Sequence, residues 1–281
     1  MTTLDLPPTD APPTPWHPVA PYRIADDTFV TGTLYQAPGA PVGVHLNSMI
    51  IRGAEPVLVD TGAAATSAQW LEDTWSIVDP ADVKWVFLTH EEPDHAGNVR
   101  AVLDACPNAT LVTSWFALER LAALHPVPLH RVRWLNDGES FHVGDRTLHA
   151  ITPPVYDAPT TRGLFDDRTG VYWAADAFGA PVPEAMTDAD DLPAAAWEEG
   201  FLGFARMVAP WHRLLSPDRF DQEVGRVARL RPSVVASGHG PAVRGPRLEQ
   251  AFTLIRTLPD MPAAPLPGQH DLEQILLAAG M

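Results

Sequence analysis

Leu88-Thr89-His90-Glu91-Glu92-Pro93-Asp94-His95-Ala96-Gly97-Asn98 carries metal-capable side chains at 90, 92, 94 and 95 in one short run. Residues 84–89 before it read as a buried strand and residues 97–105 after it as a helix, so these side chains crown a strand end. Alternation along the loop lets His90 and Glu92 face one ion while Asp94 and His95 face a neighbour, and Pro93 stiffens the backbone between the pairs. One loop cannot close two coordination spheres, so further ligands must arrive from later strand ends. Asp176, in Trp173-Ala174-Ala175-Asp176-Ala177-Phe178-Gly179, and His239, in Ala236-Ser237-Gly238-His239-Gly240-Pro241, each follow an apolar run and precede a glycine-containing loop.

Outward from this stretch, residues 28–35, 45–52, 56–60, 110–113, 171–174 and 233–237 read as strands. Two or three more lie between 131 and 151, turned near Asn136-Asp137-Gly138 and Gly144-Asp145. Helical patterns cover 63–77, 115–124, 198–214, 217–230, 248–258 and 271–279. Strands and helices interleaved in two halves predict an α+β fold, an αββα sandwich of two facing sheets with helices outside. The expected organisation is a flexible Pro-rich leader (1–22), a di-metal domain (23–246) and a C-terminal tail (247–281) with a helix, a Pro-rich linker and a last short helix.

The chain has 281 residues and 46% apolar composition, enough to bury a core. Nineteen basic against thirty-five acidic residues leave a net charge of −16, which argues against nucleic-acid or anionic-membrane partners. Cys106 is the lone cysteine, so intrachain disulfides, Cys zinc sites and iron–sulfur clusters are excluded. No apolar run approaches the ~18 residues of a membrane span, and the acidic MTTLDLPPTDAPPTP start is unlike a signal peptide, so a cytoplasmic location is expected. Phosphate-binding Gly loops, a G-x-S-x-G elbow and a dinucleotide fingerprint are all missing, and no cofactor-binding residues other than metal ligands are expected.

Together these motifs resemble the metallo-β-lactamase superfamily, whose signature is H-x-[HE]-x-D-H followed by a His, a bridging Asp and a final His. The resemblance runs from about residue 28 to 241 and includes Val59-Asp60-Thr61-Gly62, with Asp60 in the structural position. Hydrolytic members carry His where this chain has Glu92. H-x-E-x-D instead resembles the oxygen-binding di-iron branch, the catalytic domain of flavodiiron proteins, and the 176–179 run and the 197–211 helix are similar to it as well. That branch places a His nineteen residues before the bridging Asp, where this chain has Asp157, in Thr152-Pro153-Pro154-Val155-Tyr156-Asp157-Ala158-Pro159. Several readings stay open: Asp157 ligates in place of His, Tyr156 or His149 does so, or the first ion is weakly held. Asp157 is favoured.

The resemblance then implies His90, Glu92 and Asp157 on a first ion, Asp94, His95 and His239 on a second, and Asp176 bridging, with Asp94 and Asp176 also the catalytic candidates. His95 either ligates or stands behind a ligand. Carboxylate-rich coordination favours Fe, then Mn, over Zn, and should lower the potential of an iron pair. The expected function is a binuclear, di-iron protein binding or reducing a small oxidant such as O2 or NO. Its electrons come from a separate partner, because the sequence given ends about forty residues past His239 and no flavin domain is expected in it. The alternatives are a metal-dependent hydrolase of an ester, thioester or lactone using metal-bound hydroxide, and a binding protein whose first metal site has decayed. A homodimer is compatible with the tail. His45, His142 and His149 read as surface or core-edge residues, and His125, His130, His212 and His270 as solvated. The acidic stretch 188–191 reads as a solvated face, and Trp115, Trp173, Trp197 and Trp211 as core or interface.

Overall fold

The computed structural model describes residues 14–123 and 125–278. In chain order its elements are β1 (Trp16–Ala25), β2 (Thr28–Tyr35), β3 (Val44–Ile51), β4 (Val57–Val59), α1 (Ser67–Ile77), β5 (Trp85–Phe87), α2 (Pro93–Ala96), α3 (Val99–Ala105), β6 (Thr110–Thr113), α4 (Trp115–Ala122) and β7 (Val132–Trp134). There follow β8 (Ser140–His142), β9 (Thr147–Ile151), β10 (Gly163–Asp166), β11 (Val171–Trp173), α5 (Ala194–Val208), α6 (Pro217–Ala228), β12 (Val234–Ala236), β13 (Val243–Arg244), α7 (Pro246–Ile255) and α8 (Gln269–Ala278).

The period-2 alternation of strand side chains sorts the apolar residues into layers. Met49, Ile51, Val57, Val59, Phe87 and Val112 point inward from the first sheet onto Leu148, Ala150, Leu164, Val171, Trp173 and Ala236 of the second. Their strand neighbours Ile50, Leu58, Val86 and Leu111 point outward onto Trp70, Val102 and Leu118 of α1, α3 and α4. Tyr172 and Val235 do the same on the far side, against Trp197, Phe201, Val224 and Phe252 of α5, α6 and α7. This is the expected αββα sandwich.

Topology decides where chemistry gathers. The first sheet runs β1-β2-β3-β4-β5-β6-β7 and the second β13-β12-β11-β10-β9-β8. β4 and β5 are parallel neighbours in one sheet, and β11 and β12 are parallel neighbours in the other. The loops leaving these four strand ends carry Asp60, His90, Asp176 and His239, at the carboxyl ends of parallel strands where α/β folds place ligands.

Several expectations need correction. The leader expected over 1–22 gives way to a strand from Trp16 onward, paired with β2 along its length; residues 1–13 lie outside the described residues. The expected leader rests on the Pro-rich start of the chain, but Pro18 and Pro21 sit on β1, an edge strand with a register shift between Val19 and Tyr22, where missing N–H groups are tolerated. The helix expected over 198–214 is α5 followed by a separate 3-10 turn at Pro210–Leu214, because Pro210 cannot continue the α-helical ladder. β10 and the two-residue β13 were not expected; Gly163 and Asp166 at the ends of β10 have turn character, and β13 is too short to show a pattern. His212 is buried, not solvated, its Nδ1 bonded to the Leu258 carbonyl at 2.7 Å. Trp115 is exposed and stacks on Phe116. In the tail, α7 packs Ala251, Phe252 and Ile255 on the second sheet, whereas α8 leaves Leu272, Ile275 and Leu277 exposed. Among the described residues no helix is long and apolar enough to cross a membrane.

Candidate metal centre

Past β5 the chain reaches Glu92 in extended backbone (φ −68°, ψ 151°), and Pro93 opens α2 at its first position, so Asp94 and His95 occupy one helical turn. Beyond this change of backbone, Glu92 groups with His90 and Asp157, and Asp94 with His95 and His239, while the His90 and His95 rings stay adjacent with centroids 4.1 Å apart. Asp176 lies three residues past β11, between two residues in left-handed backbone, Ala175 (φ 50°) and Phe178 (φ 63°). His239 leaves β12 through Ser237 and Gly238, and β3 holds that loop. The Asn47 side chain donates to the Ser237 and Gly240 carbonyls at 3.1 and 3.0 Å, and its backbone N–H donates to the Gly238 carbonyl.

These side chains meet in three overlapping groups: His90, His95 and Asp176; Asp94, His95 and His239; and His90, Glu92 and Asp157. Within each group one ligand atom per residue lies within 4.8 Å of the others. Asp176 joins the halves. Its carboxylate oxygens lie 3.5 Å from His90 Nε2, 3.0 Å from His95 Nε2 and 3.3 Å from His239 Nε2. Asp94 Oδ2 is 3.7 Å from His95 Nε2 and 3.6 Å from His239 Nε2.

What ties the far side of each imidazole makes the arrangement directional. Asp60, itself at φ 62° on the end of β4, is fully buried. It accepts from the Thr89 backbone N–H (2.9 Å), the Thr89 hydroxyl (2.8 Å), His95 Nδ1 (3.0 Å) and the Trp173 indole N–H (3.1 Å). The Thr89 hydroxyl, donating to Asp60, is left to accept from His90 Nδ1 at 2.9 Å. His239 Nδ1 donates to the His45 backbone carbonyl at 3.0 Å. With each proton on Nδ1, all three Nε2 lone pairs point into the centre.

The donor set fits cations. His90 Nε2 and Asp176 Oδ1 are buried without a hydrogen bond. His95 Nε2 and His239 Nε2 stand 3.3 Å apart with lone pairs facing, an arrangement a shared proton or a metal ion relieves. Electrostatics without an ion tells the same story. Partial desolvation, reinforced by Asp176 and Glu92, pushes the Asp157 carboxyl up to about 8. Burial, Asp176 and Asp94 raise Glu92. For Asp176, burial opposes the charged form, but His90 and His95 overcome it and hold it well below the usual carboxylate range. For His95, burial likewise opposes charge and is overcome by Asp60, Asp176 and Asp94. His90, buried and next to His95, falls to about 4.

The structure brings all seven sequence-selected residues to one place. It separates the other candidates for the missing ligand: the Tyr156 ring packs on Trp211 with centroids 5.0 Å apart, and His149 faces Asp167 at 3.8 Å. Asp157 is the most exposed of the seven, at the rim beside Glu92. Sequence reading missed three supporting residues. Trp173 was read as core or interface, the Thr89 hydroxyl had no assigned role, and His45, read as surface or core-edge, is fully buried with its carbonyl on His239 Nδ1. Thr89 sits beside His90 in the motif and could have been found there; the other two needed the fold. Phe204 of α5 supplies an apolar wall, its ring centroid 5.4 Å from that of His239.

A putative diflavin flavoprotein of Nostoc sp. is 29% identical over 204 residues, covering 72% of this chain and 34% of the relative. The chain thus spans about a third of the length of that curated relative. The fold is similar to the flavodiiron protein from Giardia intestinalis, with TM-score 0.73 and 18% identity over 86% of this chain and 59% of that one. It is also similar to rubredoxin oxygen:oxidoreductase from Desulfovibrio gigas, with TM-score 0.71 and 18% identity over 85% and 61% of the two chains. Residues 44–240, the span from β3 to the residue after His239, match the family described as ODP family beta lactamase, and the chain therefore belongs to that family.

Proposed function

We propose that this chain is a binuclear-metal protein, di-iron by preference over Mn and Zn, that binds or reduces a small oxidant such as O2 or NO with electrons from a separate partner. The observation that carries the reading is the pair of ligand groups, His90/Glu92/Asp157 and Asp94/His95/His239, on either side of Asp176. The names of its relatives, a diflavin flavoprotein, a flavodiiron protein and an oxygen:oxidoreductase, support the same chemistry. We take the cytoplasm as its location.

An iron pair, when bound, supplies reversible one-electron chemistry at each ion. The protein's part is to hold and insulate it. Glu92, Asp94, Asp157 and Asp176 provide four negative charges, the number that neutralises two divalent cations, so the loaded centre carries little net charge into a desolvated pocket. Asp60 and Thr89 keep the imidazoles in one tautomer, which raises their basicity as ligands. Phe204 excludes water from one face of His239. Asp94 and Asp176, between imidazoles of the centre, are the carboxylates we assign to the reacting atoms.

The test is metal content with an optical spectrum, on protein made in iron-supplemented medium, reduced without air and then exposed to it. We expect about two irons per chain and a near-ultraviolet charge-transfer absorption that bleaches on reduction and returns with air. Two zincs, a silent spectrum and turnover of an ester or thioester panel would overturn the reading in favour of hydrolysis.

A further inference from the structure

The two halves of the centre differ in donor chemistry and in burial. Asp94, His95 and His239 offer two imidazoles and one carboxylate. Both imidazoles are buried, each anchored at Nδ1 by Asp60 or the His45 carbonyl, and Phe204 stands over one of them. His90, Glu92 and Asp157 reverse the ratio, with one imidazole and two carboxylates. Only His90 of that group is buried; Glu92 is half-buried and Asp157 exposed. His90 Nε2 is the unpartnered buried atom aimed into this half.

Resting on the binuclear reading above, we propose that the half built by His90, Glu92 and Asp157 is an oxygen-rich, exchangeable subsite that admits Mn2+ beside iron. The half built by Asp94, His95 and His239 retains iron, and Asp157 is the residue that makes the two unequal. First-row divalent ions bind more tightly from manganese to iron at any given site, but imidazole nitrogen separates them more sharply than carboxylate oxygen, which suits Mn2+ well. Exchanging a nitrogen donor for a second carboxylate therefore weakens discrimination where Asp157 sits. Exposure of the same residue opens the route by which an ion leaves. Buried, anchored imidazoles oppose both effects in the other half, because their Nε2 atoms cannot turn away without breaking the Asp60 or His45 bond.

The experiment reconstitutes the metal-free full chain, without air, in equimolar Fe2+ and Mn2+. Metals are then counted and located by anomalous diffraction at the two absorption edges. We expect about two ions per chain, with manganese concentrated on the His90/Glu92/Asp157 side. A chelator challenge should take the ion of that side first, leaving about one iron per chain. Asp157→His should shift the distribution to iron on both sides and slow the first loss. Equal iron-to-manganese ratios at the two positions, simultaneous loss of both ions, or an unchanged ratio in Asp157→His would overturn the proposal while leaving a binuclear centre standing. Failure to bind metal at either position would overturn the binuclear reading itself. The wild-type distribution is informative even where the variant does not fold.

Discussion

Two clusters of charge sit at opposite ends of β9 and β10, and they are built on opposite principles. At the start of β9, the fully buried Arg146 guanidinium pairs with Asp27, Asp145 and Asp166. Arg168 adds to Asp145, and the Thr169 hydroxyl donates to Asp166. At the other end, Asp94 and Asp176 lie against imidazoles, Glu92 and Asp157 lie beside His90 and one another, and among the described residues no arginine or lysine forms an ion pair with any of the four. The first cluster contains its own cation and so is complete as protein. The second is a set of acceptors and lone pairs without a fixed positive charge, which is what a site for an added cation looks like. Composition does not separate them, since both are carboxylate clusters; the position of one guanidinium does.

Breaking the first cluster should have the largest effect. Replacing Arg146 by Met leaves Asp166 buried without its ion-pair partner and should cost about 3–5 kcal/mol of stability by denaturant titration, with metal content per folded chain unchanged. If metal were lost in step with stability, the two clusters would not be separable units. Asp60 and Thr89 form the hub behind the proposed ligands. Asp60→Asn removes the charge that fixes His95 and the Thr89 hydroxyl, and should weaken metal binding about 10–100-fold in competition with a chromophoric chelator. Unchanged affinity would mean that the imidazoles are held by packing alone.

The smallest expected effect is a difference in pH response. Arg146, chiefly through its hydrogen bonds, holds Asp27 and Asp145 below the usual carboxylate range. Their contribution is therefore present at neutral pH and lost as pH falls through the acid range. Asp157 has the reverse sign. With its pKa raised to about 8 in the metal-free protein, the fold favours its neutral form, so its stabilisation is present in acid and lost as pH climbs from about 4 to about 8. Glu92, His95 and His239, all raised, add to the same loss, whereas His90 and His45, held to about 4 chiefly by burial, oppose it by gaining stability as pH rises from about 4 to about 6.5. Metal-free protein should thus melt lower by several degrees at about pH 8 than at about pH 5, and Asp157→Ala or added metal should flatten that slope. An Asp157→Ala protein whose melting temperature follows the wild-type slope over this interval would show that Asp157 does not carry its raised pKa in solution.

How much of this could be read from residues alone depends on the range of the interaction. β2 was read to the residue as Thr28–Tyr35, and β6 as Thr110–Thr113, because alternation and turn residues act over a few positions. β1 falls within the expected leader because a proline-rich stretch looks the same in a loop and on a sheet edge, and only pairing with β2 distinguishes the two. The loop of proposed ligands was equally local: donor types, their spacing and the strand before them lie within one short stretch. Asp176 and His239 followed from the same strand-end logic, applied twice more along the chain.

What the amino-acid order determined by itself was the layered sandwich and the inventory of donors, since both follow from side-chain period and chemical type. Tertiary structure alone decided that Asp157 joins His90 and Glu92 while Tyr156 turns to Trp211 and His149 to Asp167. It alone put the Trp173 indole on Asp60, and the His45 carbonyl under His239, each across more than a hundred residues. The physical reason is that a hydrogen bond between distant strands is set by sheet register and by the packing of one sheet on the other. No local propensity in either segment encodes that register.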